Sequence, residues 1–148
     1  MTHNNSLTPN VGANIMKSHS LALFLGVVVQ LIPASAFAEE VCSIVSGAII
    51  VAQDDENTYL GKVANAYDGK SIFNEYGTHG SQYSTNSIWN QYGPFGSEYS
   101  TYSPFNKYTS TPPMIIKSKK IVGYLSANKS MRSSISPNLL KALCKDEL

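Results

Sequence analysis

Apolar residues are concentrated near the two ends of the chain, and the segment between them mixes small polar residues with aromatic ones. Residues 21–32 (LALFLGVVVQLI) form an uncharged run with Gln30 as the one polar side chain. The run is shorter than the roughly 20 residues of a membrane-spanning helix. It follows Lys17 and precedes Ala36-Phe37-Ala38, which offers small residues to a signal peptidase. This pattern predicts a cleavable signal peptide over residues 16–38, with cleavage after Ala38, in preference to a retained membrane anchor.

The remaining apolar segments predict two β-hairpins and one helix. Residues 42–52 (CSIVSGAIIVA) and 58–63 (TYLGKV) are strongly β-forming and are separated by the polar turn 54–57. Residues 114–117 (MIIK) and 121–126 (IVGYLS) flank the turn 118–120 in the same way. Ser136 followed by Pro137 is typical of a helix start, and LLKALC predicts one short amphipathic helix at the C-terminus.

The polar and aromatic segment between the hairpins is an internal repeat of sixteen residues. From Ser71 its copies read SIFNEYGTHGSQYSTN, SIWNQYGPFGSEYSTY and a shortened SPFNKYTS. We expect turns joined by very short strands, with Gly77 and Gly80 at positive φ. The aligned positions are Ser71, Ser87 and Ser103; Phe73, Trp89 and Phe105; Asn74, Asn90 and Asn106; Tyr76, Tyr92 and Tyr108; Gly77 and Gly93; Gly80 and Gly96; Tyr83 and Tyr99.

The predicted fold class is therefore a small, mainly β protein. Two β-hairpins bracket a loop-rich, sixteen-residue Tyr/Ser/Asn/Gly repeat array, and a short C-terminal helix closes the chain. Residues 39–148 form a single domain, because about 110 residues are enough for one domain and too few for two. Residues 1–15 are polar and have no role in the leader, so we interpret Met16 as the true first residue.

Charge and cysteine content add two expectations. The net charge is +1, with acidic residues mostly in the first half and lysines scattered through the second. Because the lysines do not form one run, no nucleic acid is expected as a partner. Cys42 and Cys144 are the two cysteines. In an exported protein they favour a disulfide, against the alternative of two unrelated buried thiols.

The motif as a whole resembles a known group. YLGKV, YDGKSIFNEYGTHGSQYSTNSIWNQYG and GSEYSTYSPFNKY are similar to the YLGxL…SIxNxYGxYGSxYS repeats of a widespread group of small, often exported bacterial proteins of unknown function. His79 stands where that pattern prefers Tyr, and Pro94-Phe95 replaces one pair between glycines. The resemblance implies a bacterial exported domain and brings no activity with it.

Catalytic and metal-binding chemistry find little support. His79 is the one histidine of the predicted mature chain and is expected to be an ordinary turn residue. Clusters of Cys and His that could bind a metal are absent by count, and the acidic segment 54–57 lacks calcium-loop spacing. We therefore expect no metal, no cofactor and a non-catalytic structural or binding domain. The alternative is a small secreted hydrolase that uses carboxylate and Ser residues.

The repeated rings allow two interpretations. The favoured one makes them the core, with Tyr76, Tyr92 and Tyr108 buried beside Phe73, Trp89 and Phe105. The other makes them an exposed aromatic ridge that contacts a cell-wall glycan or another envelope protein. The candidate binding residues are then Trp89, Tyr83, Tyr99, Asn74, Asn90 and Asn106.

The predicted location is the periplasm or the extracellular medium, with no membrane span once the signal peptide is removed. The chain ends in Lys145-Asp146-Glu147-Leu148, which in a eukaryote is an address for the lumen of the endoplasmic reticulum. The resemblance to bacterial proteins favours export, and the endoplasmic reticulum lumen is the alternative.

Overall fold

The structure is a computed structural model that describes Leu31 and residues 33–148. The apolar run of the predicted signal peptide and the predicted mis-assigned start lie almost wholly outside the described residues. The elements are helix α1 (Ala34–Val45), strands β1 (Ile49–Val51), β2 (Tyr59–Lys62), β3 (Met114–Lys117), β4 (Lys120–Leu125) and β5 (Ser134–Ile135), and helix α2 (Pro137–Cys144).

Helix α1 corrects one prediction. Residues 42–45 were assigned to a strand, but they form the last turn of α1. The helix-favouring Ala and Glu residues before Cys42 extend the helix through it, and Cys42 and Val45, three residues apart, face the core together. Only Ile49–Val51 of the predicted strand is extended. The predicted cleavage residue Ala38 lies within α1.

The five strands form one mixed sheet in the order β2-β1-β3-β4-β5. Strand β1 is antiparallel to both neighbours, and its Ile50 pairs with Gly61 of β2 and Ile115 of β3. Strands β3 and β4 are antiparallel, whereas β5 is parallel to β4. The protein is therefore a small mixture of one sheet and two helices.

The core lies where the sheet, the repeat array and α2 meet. Ile50, Leu60 and Ile115 from the sheet are fully or almost fully buried, as are Ile72 of the array and Leu140 of α2. Helix α2 begins at Pro137 after the N-cap Ser136, whose side chain accepts a hydrogen bond from the Leu139 N–H.

A disulfide joins the two helices. Cys42 of α1 and Cys144 of α2 are bonded, with their Cα atoms 5.4 Å apart and 102 residues between them in sequence. The predicted pairing is confirmed. Because the bond closes almost the whole of the described chain into one loop, it restricts the unfolded state strongly.

The repeat array is a run of tight turns. In successive turns, a backbone N–H donates to the carbonyl three residues earlier. At each Gly-x-x-Gly, one such bond spans four residues instead. Each sixteen-residue copy therefore advances by steps of three, three, four, three and three residues. The N–H donors in the first copy and at the start of the second are Asn74, Gly77, Ser81, Ser84 and Ser87.

Two expectations for the array are wrong. The first is that very short strands join its turns. Residues 72–113 of the described chain contain turns and bends and no strand. Local side-chain bonds satisfy the backbone there, and sheet ladders are not formed. The second is positive φ at the repeat glycines, which none of them adopts. Gly80 is required by close approach instead, because a Cβ there would lie 2.8 Å from the Asn74 nitrogen and closer still to the Asn74 carbonyl.

The assignment of the rings to the core is wrong for half of them. Phe73 is buried as expected, and Trp89 and Phe105 are half-buried, but Tyr76, Tyr92 and Tyr108 are exposed. The reason is that the middle residue of each Ser-x-aromatic triplet enters the core in place of these tyrosines. Those residues are Ile72, Ile88 and Pro104, all fully buried.

Candidate functional site

Three-residue units position the aromatic side chains. In each unit a Ser or Asn side chain accepts a hydrogen bond from the backbone N–H two residues later, at 2.9–3.4 Å. The residue whose N–H is bound in this way is aromatic in nine such units of the array. These residues are Phe73, Tyr76, Tyr83, Trp89, Tyr92, Tyr99, Tyr102, Phe105 and Tyr108.

The aligned asparagines hold the array together. The side-chain Nδ2 of each donates to the carbonyl six residues earlier, while its Oδ1 accepts from the N–H two residues later. Both ends of the amide are thus engaged within the array. Asn74, Asn90 and Asn106, which the sequence proposes as binding residues, thus also stabilise the turns of the array.

Six tyrosines stand out from this framework. Each exposes at least 82% of its surface, although Tyr is usually at least partly covered in a folded protein. They are Tyr67, Tyr76, Tyr83, Tyr92, Tyr99 and Tyr108. Because their backbone N–H groups are fixed by the turns, these rings project from a rigid scaffold.

Four of these tyrosines wall two clefts that are copies of each other. The first cleft has a volume of about 630 Å³ and the second about 700 Å³. Seven lining positions of one recur sixteen residues later in the other. The pairs are Glu75 and Gln91, Tyr76 and Tyr92, Gly80 and Gly96, Ser81 and Ser97, Gln82 and Glu98, Tyr83 and Tyr99, and Trp89 and Phe105.

Trp89 belongs to both clefts. Its indole N–H donates to the Ile72 carbonyl at 2.5 Å, and its ring meets Phe105 edge-on with centroids 5.8 Å apart. The Lys141 ammonium of α2 lies 4.7 Å from the ring centroid on the first-cleft side. The half-buried indole is therefore fixed in position and keeps one part of its surface open to each cleft.

Charge distinguishes the two clefts. In the first, Glu75 is 2.9 Å from the Lys145 ammonium and 3.5 Å from that of Lys141. The hydrogen bond from Lys145 and the charges of both lysines lower the pKa of Glu75, so it is ionised at neutral pH. In the second cleft the carboxylate is Glu98, whose hydrogen bond with Tyr99 raises the pKa of that phenol.

The structure brings together three of the residues that the sequence proposed. Tyr83 and Trp89 share the first cleft, and Trp89 and Tyr99 share the second. Sequence reasoning assigned Tyr76 and Tyr92 to the core, and the spacing of Ser and Asn does not correct this, because Phe73 follows the same spacing and is buried. It also missed Lys141, which no local pattern connects to the array.

Two other candidate positions lie elsewhere. His79 is half-buried against β2, edge-on to Tyr59 with ring centroids 4.9 Å apart, and its Nδ1 lies 3.4 Å from the Asn86 carbonyl. Asp54 accepts the backbone N–H and the hydroxyl of Thr58, at 2.8 and 2.6 Å, and so closes the turn between β1 and β2.

Comparison with known proteins gives no further guide to this site: no family model, no curated protein and no solved structure matches the chain. Among the described residues, none of the helices has the length and apolar character needed to cross a membrane. Residues 33–148 also contain no cluster of three or more His, Cys, Asp or Glu side chains suited to a metal ion.

Proposed function

We propose that this protein is an exported bacterial domain that binds glycan without catalysis, through the two aromatic clefts. The observation that carries the proposal is the duplication of the cleft. Exposed tyrosine walls, a half-buried aromatic floor and a serine hydroxyl recur at equivalent positions sixteen residues apart. A repeat that only filled the core would not need to keep these rings exposed.

The chemistry of the lining suits a sugar. A pyranose presents a C–H face that packs on an aromatic ring and hydroxyl groups that hydrogen-bond around its edge. Tyr and Trp combine an apolar ring with a polar group, so they serve both needs. In the first cleft Tyr83 and Trp89 supply the rings, while Ser81 and Gln82 supply hydrogen-bonding groups. The clefts are open and partly polar, which favours an extended hydrophilic ligand.

The carboxylate in the first cleft favours binding over hydrolysis. A general acid needs a pKa raised toward neutrality, whereas Lys145 and Lys141 lower that of Glu75. We expect no turnover of generic esterase, glycosidase or peptidase substrates. Turnover that a single substitution at Glu75 or Glu98 abolishes would replace this proposal with the hydrolase alternative.

Export is supported by the disulfide, since such bonds persist in oxidising compartments outside the cytosol. The C-terminal tetrapeptide is partly held on the domain: Lys145 donates to Glu75, and Leu148 packs against the core. The lumen of the endoplasmic reticulum is also oxidising and stays the alternative location. Mass spectrometry of protein from its host should give Glu39 as the mature N-terminus. A soluble cytosolic form with an intact leader would contradict export.

Binding can be followed through Trp89, the one tryptophan in the chain. Fragments of solubilised peptidoglycan should change its fluorescence in a saturable way and protect it from quenching. Tyr83→Ala should weaken the response, because Tyr83 walls the first cleft. Tyr67→Ala is the matched control, since Tyr67 is equally exposed but lines neither cleft.

The outcome that would refute the proposal is equally specific. If the folded protein shows no response to peptidoglycan fragments or to N-acetylglucosamine oligomers, the clefts do not bind glycan of this kind. An equal loss in Tyr83→Ala and Tyr67→Ala would place binding outside the clefts. Melting temperatures of both variants should match the parent, because substitutions at exposed sites usually change stability by less than about 0.5 kcal/mol.

A further inference from the structure

We propose that the two clefts are consecutive subsites for a single linear glycan chain, and that they do not bind two separate sugars. This inference rests on the proposed function and names its ligand more closely: an unbranched polysaccharide that is recognised along its length and not at its end.

The two clefts are continuous with each other. Trp89 contributes to the lining of both, so a ligand that leaves the first cleft across this indole enters the second. The surface continues beyond it, because Glu98, Tyr99 and Phe105 also line a third depression of about 490 Å³ next to Tyr108. A groove that shares walls in this way accommodates one extended molecule better than several compact ones.

Equivalent aromatic surfaces of the two clefts lie one sugar's length apart. Trp89 and Phe105 occupy the same position in successive repeats, and their ring centroids are 5.8 Å apart. The advance from one pyranose to the next in an extended, unbranched chain is a similar distance. Successive sugars of such a chain can therefore meet successive repeats, even though the two rings are inclined by 62°.

The backbone that carries both clefts is held by repeated side-chain hydrogen bonds. The aromatic residues of both clefts are set by the same turns, in which Ser81 bonds the Tyr83 N–H and Ser97 bonds the Tyr99 N–H. A fixed spacing between subsites suits a ligand whose own repeat is fixed. Because the subsites are already in register, a chain that fills the first is held at high effective concentration over the second.

A length series tests the inference. Unbranched N-acetylglucosamine oligomers of one to six sugars are titrated into the folded protein by calorimetry. We expect one oligomer to bind per protein. The affinity should rise at least tenfold once a chain is long enough to occupy both clefts. This rise is smaller than the gains of about 10² to 10⁴ that linked binding sites can reach. Tyr83→Ala and Tyr99→Ala should each remove this gain for long oligomers. Tyr67→Ala should leave it intact.

The results separate this inference from the proposed function. If two short oligomers bind per protein and longer ones bind no more tightly, the clefts bind glycan as independent sites and the tandem arrangement is wrong. If Tyr99→Ala leaves the affinity for long oligomers unchanged, the second cleft is not a subsite. If neither these oligomers nor peptidoglycan strands bind at any length, glycan binding itself is wrong.

Discussion

The backbone packs so closely around Gly80 that Gly80→Ala should destabilise the protein. An added Cβ would lie 2.8 Å from the Asn74 nitrogen and closer to the Asn74 carbonyl carbon and oxygen, distances that real Cβ atoms do not adopt. These neighbours are backbone atoms of a turn, so no side-chain rotation relieves the overlap. Overpacking of a buried site costs about 1–3 kcal/mol, and the rigidity of the turn places this variant toward the upper end.

Gly69→Ala is the matched control, at a glycine two residues before the array begins at Ser71. A Cβ at Gly69 meets no atom within 4 Å, and this residue has no positive φ. Replacing such a glycine reduces the entropy of the unfolded chain, so the variant should be neutral or more stable by up to about 1 kcal/mol. The two variants make the same chemical change and differ only in what surrounds it.

Thermal melts with the disulfide intact measure the difference. In a domain of about 100 residues, 1 kcal/mol corresponds to roughly 4–8 °C in melting temperature. We expect Gly80→Ala to melt well below the parent, and Gly96→Ala to do the same, since its Cβ would lie 2.7 Å from the Ile88 carbonyl. Equal melting temperatures for Gly80→Ala and Gly69→Ala would refute the proposed close approach and the turn arrangement on which it depends.

Three further changes have defined outcomes. Trp89→Ala removes a half-buried ring and its hydrogen bond to the Ile72 carbonyl. Urea titration should show a loss of about 3 kcal/mol in the free energy of unfolding, the lower end for such truncations. An unchanged unfolding midpoint would contradict the packing of the indole. Glu75→Gln should lower the melting temperature at neutral pH. Because the pKa of Glu75 is lowered in the folded state, that difference should disappear as the pH falls through this pKa, and a difference independent of pH would argue against the ion pairs with Lys145 and Lys141. Cys144→Ser should cost up to about 4–5 kcal/mol in the chain-entropy model, which unfolding with and without reductant would check.

Local signals predicted the parts of the fold that local chemistry determines. Ser136-Pro137 marked the start of α2, and the β-forming segment 42–52 contains β1. Sequence reasoning failed where a tertiary contact decides the outcome. Cys42 lies in a β-rich segment but belongs to the last turn of α1, a helix that the Ala and Glu residues before it favour and that the disulfide holds against α2.

The site was predictable only in part for a similar reason. Alignment of the repeats identified Tyr83, Tyr99 and Trp89, but the sixteen-residue period does not say which side of the array is buried. The three-residue step of the turns does not say so either, because Phe73 and Tyr76 lie one step apart and only Phe73 is buried. Lys141 reaches Trp89 from α2, and a contact between segments so distant in sequence leaves no local pattern.

The attachment of both ends of the array to the sheet limits how this protein can evolve in length. The Ile72 N–H bonds to Lys62 at the end of β2, while the Pro104 carbonyl accepts from Ala127 just beyond β4. A duplicated copy would move one end of the array away from its partner by the advance of a repeat. Gain or loss of a copy would therefore require a matching change in the width of the sheet.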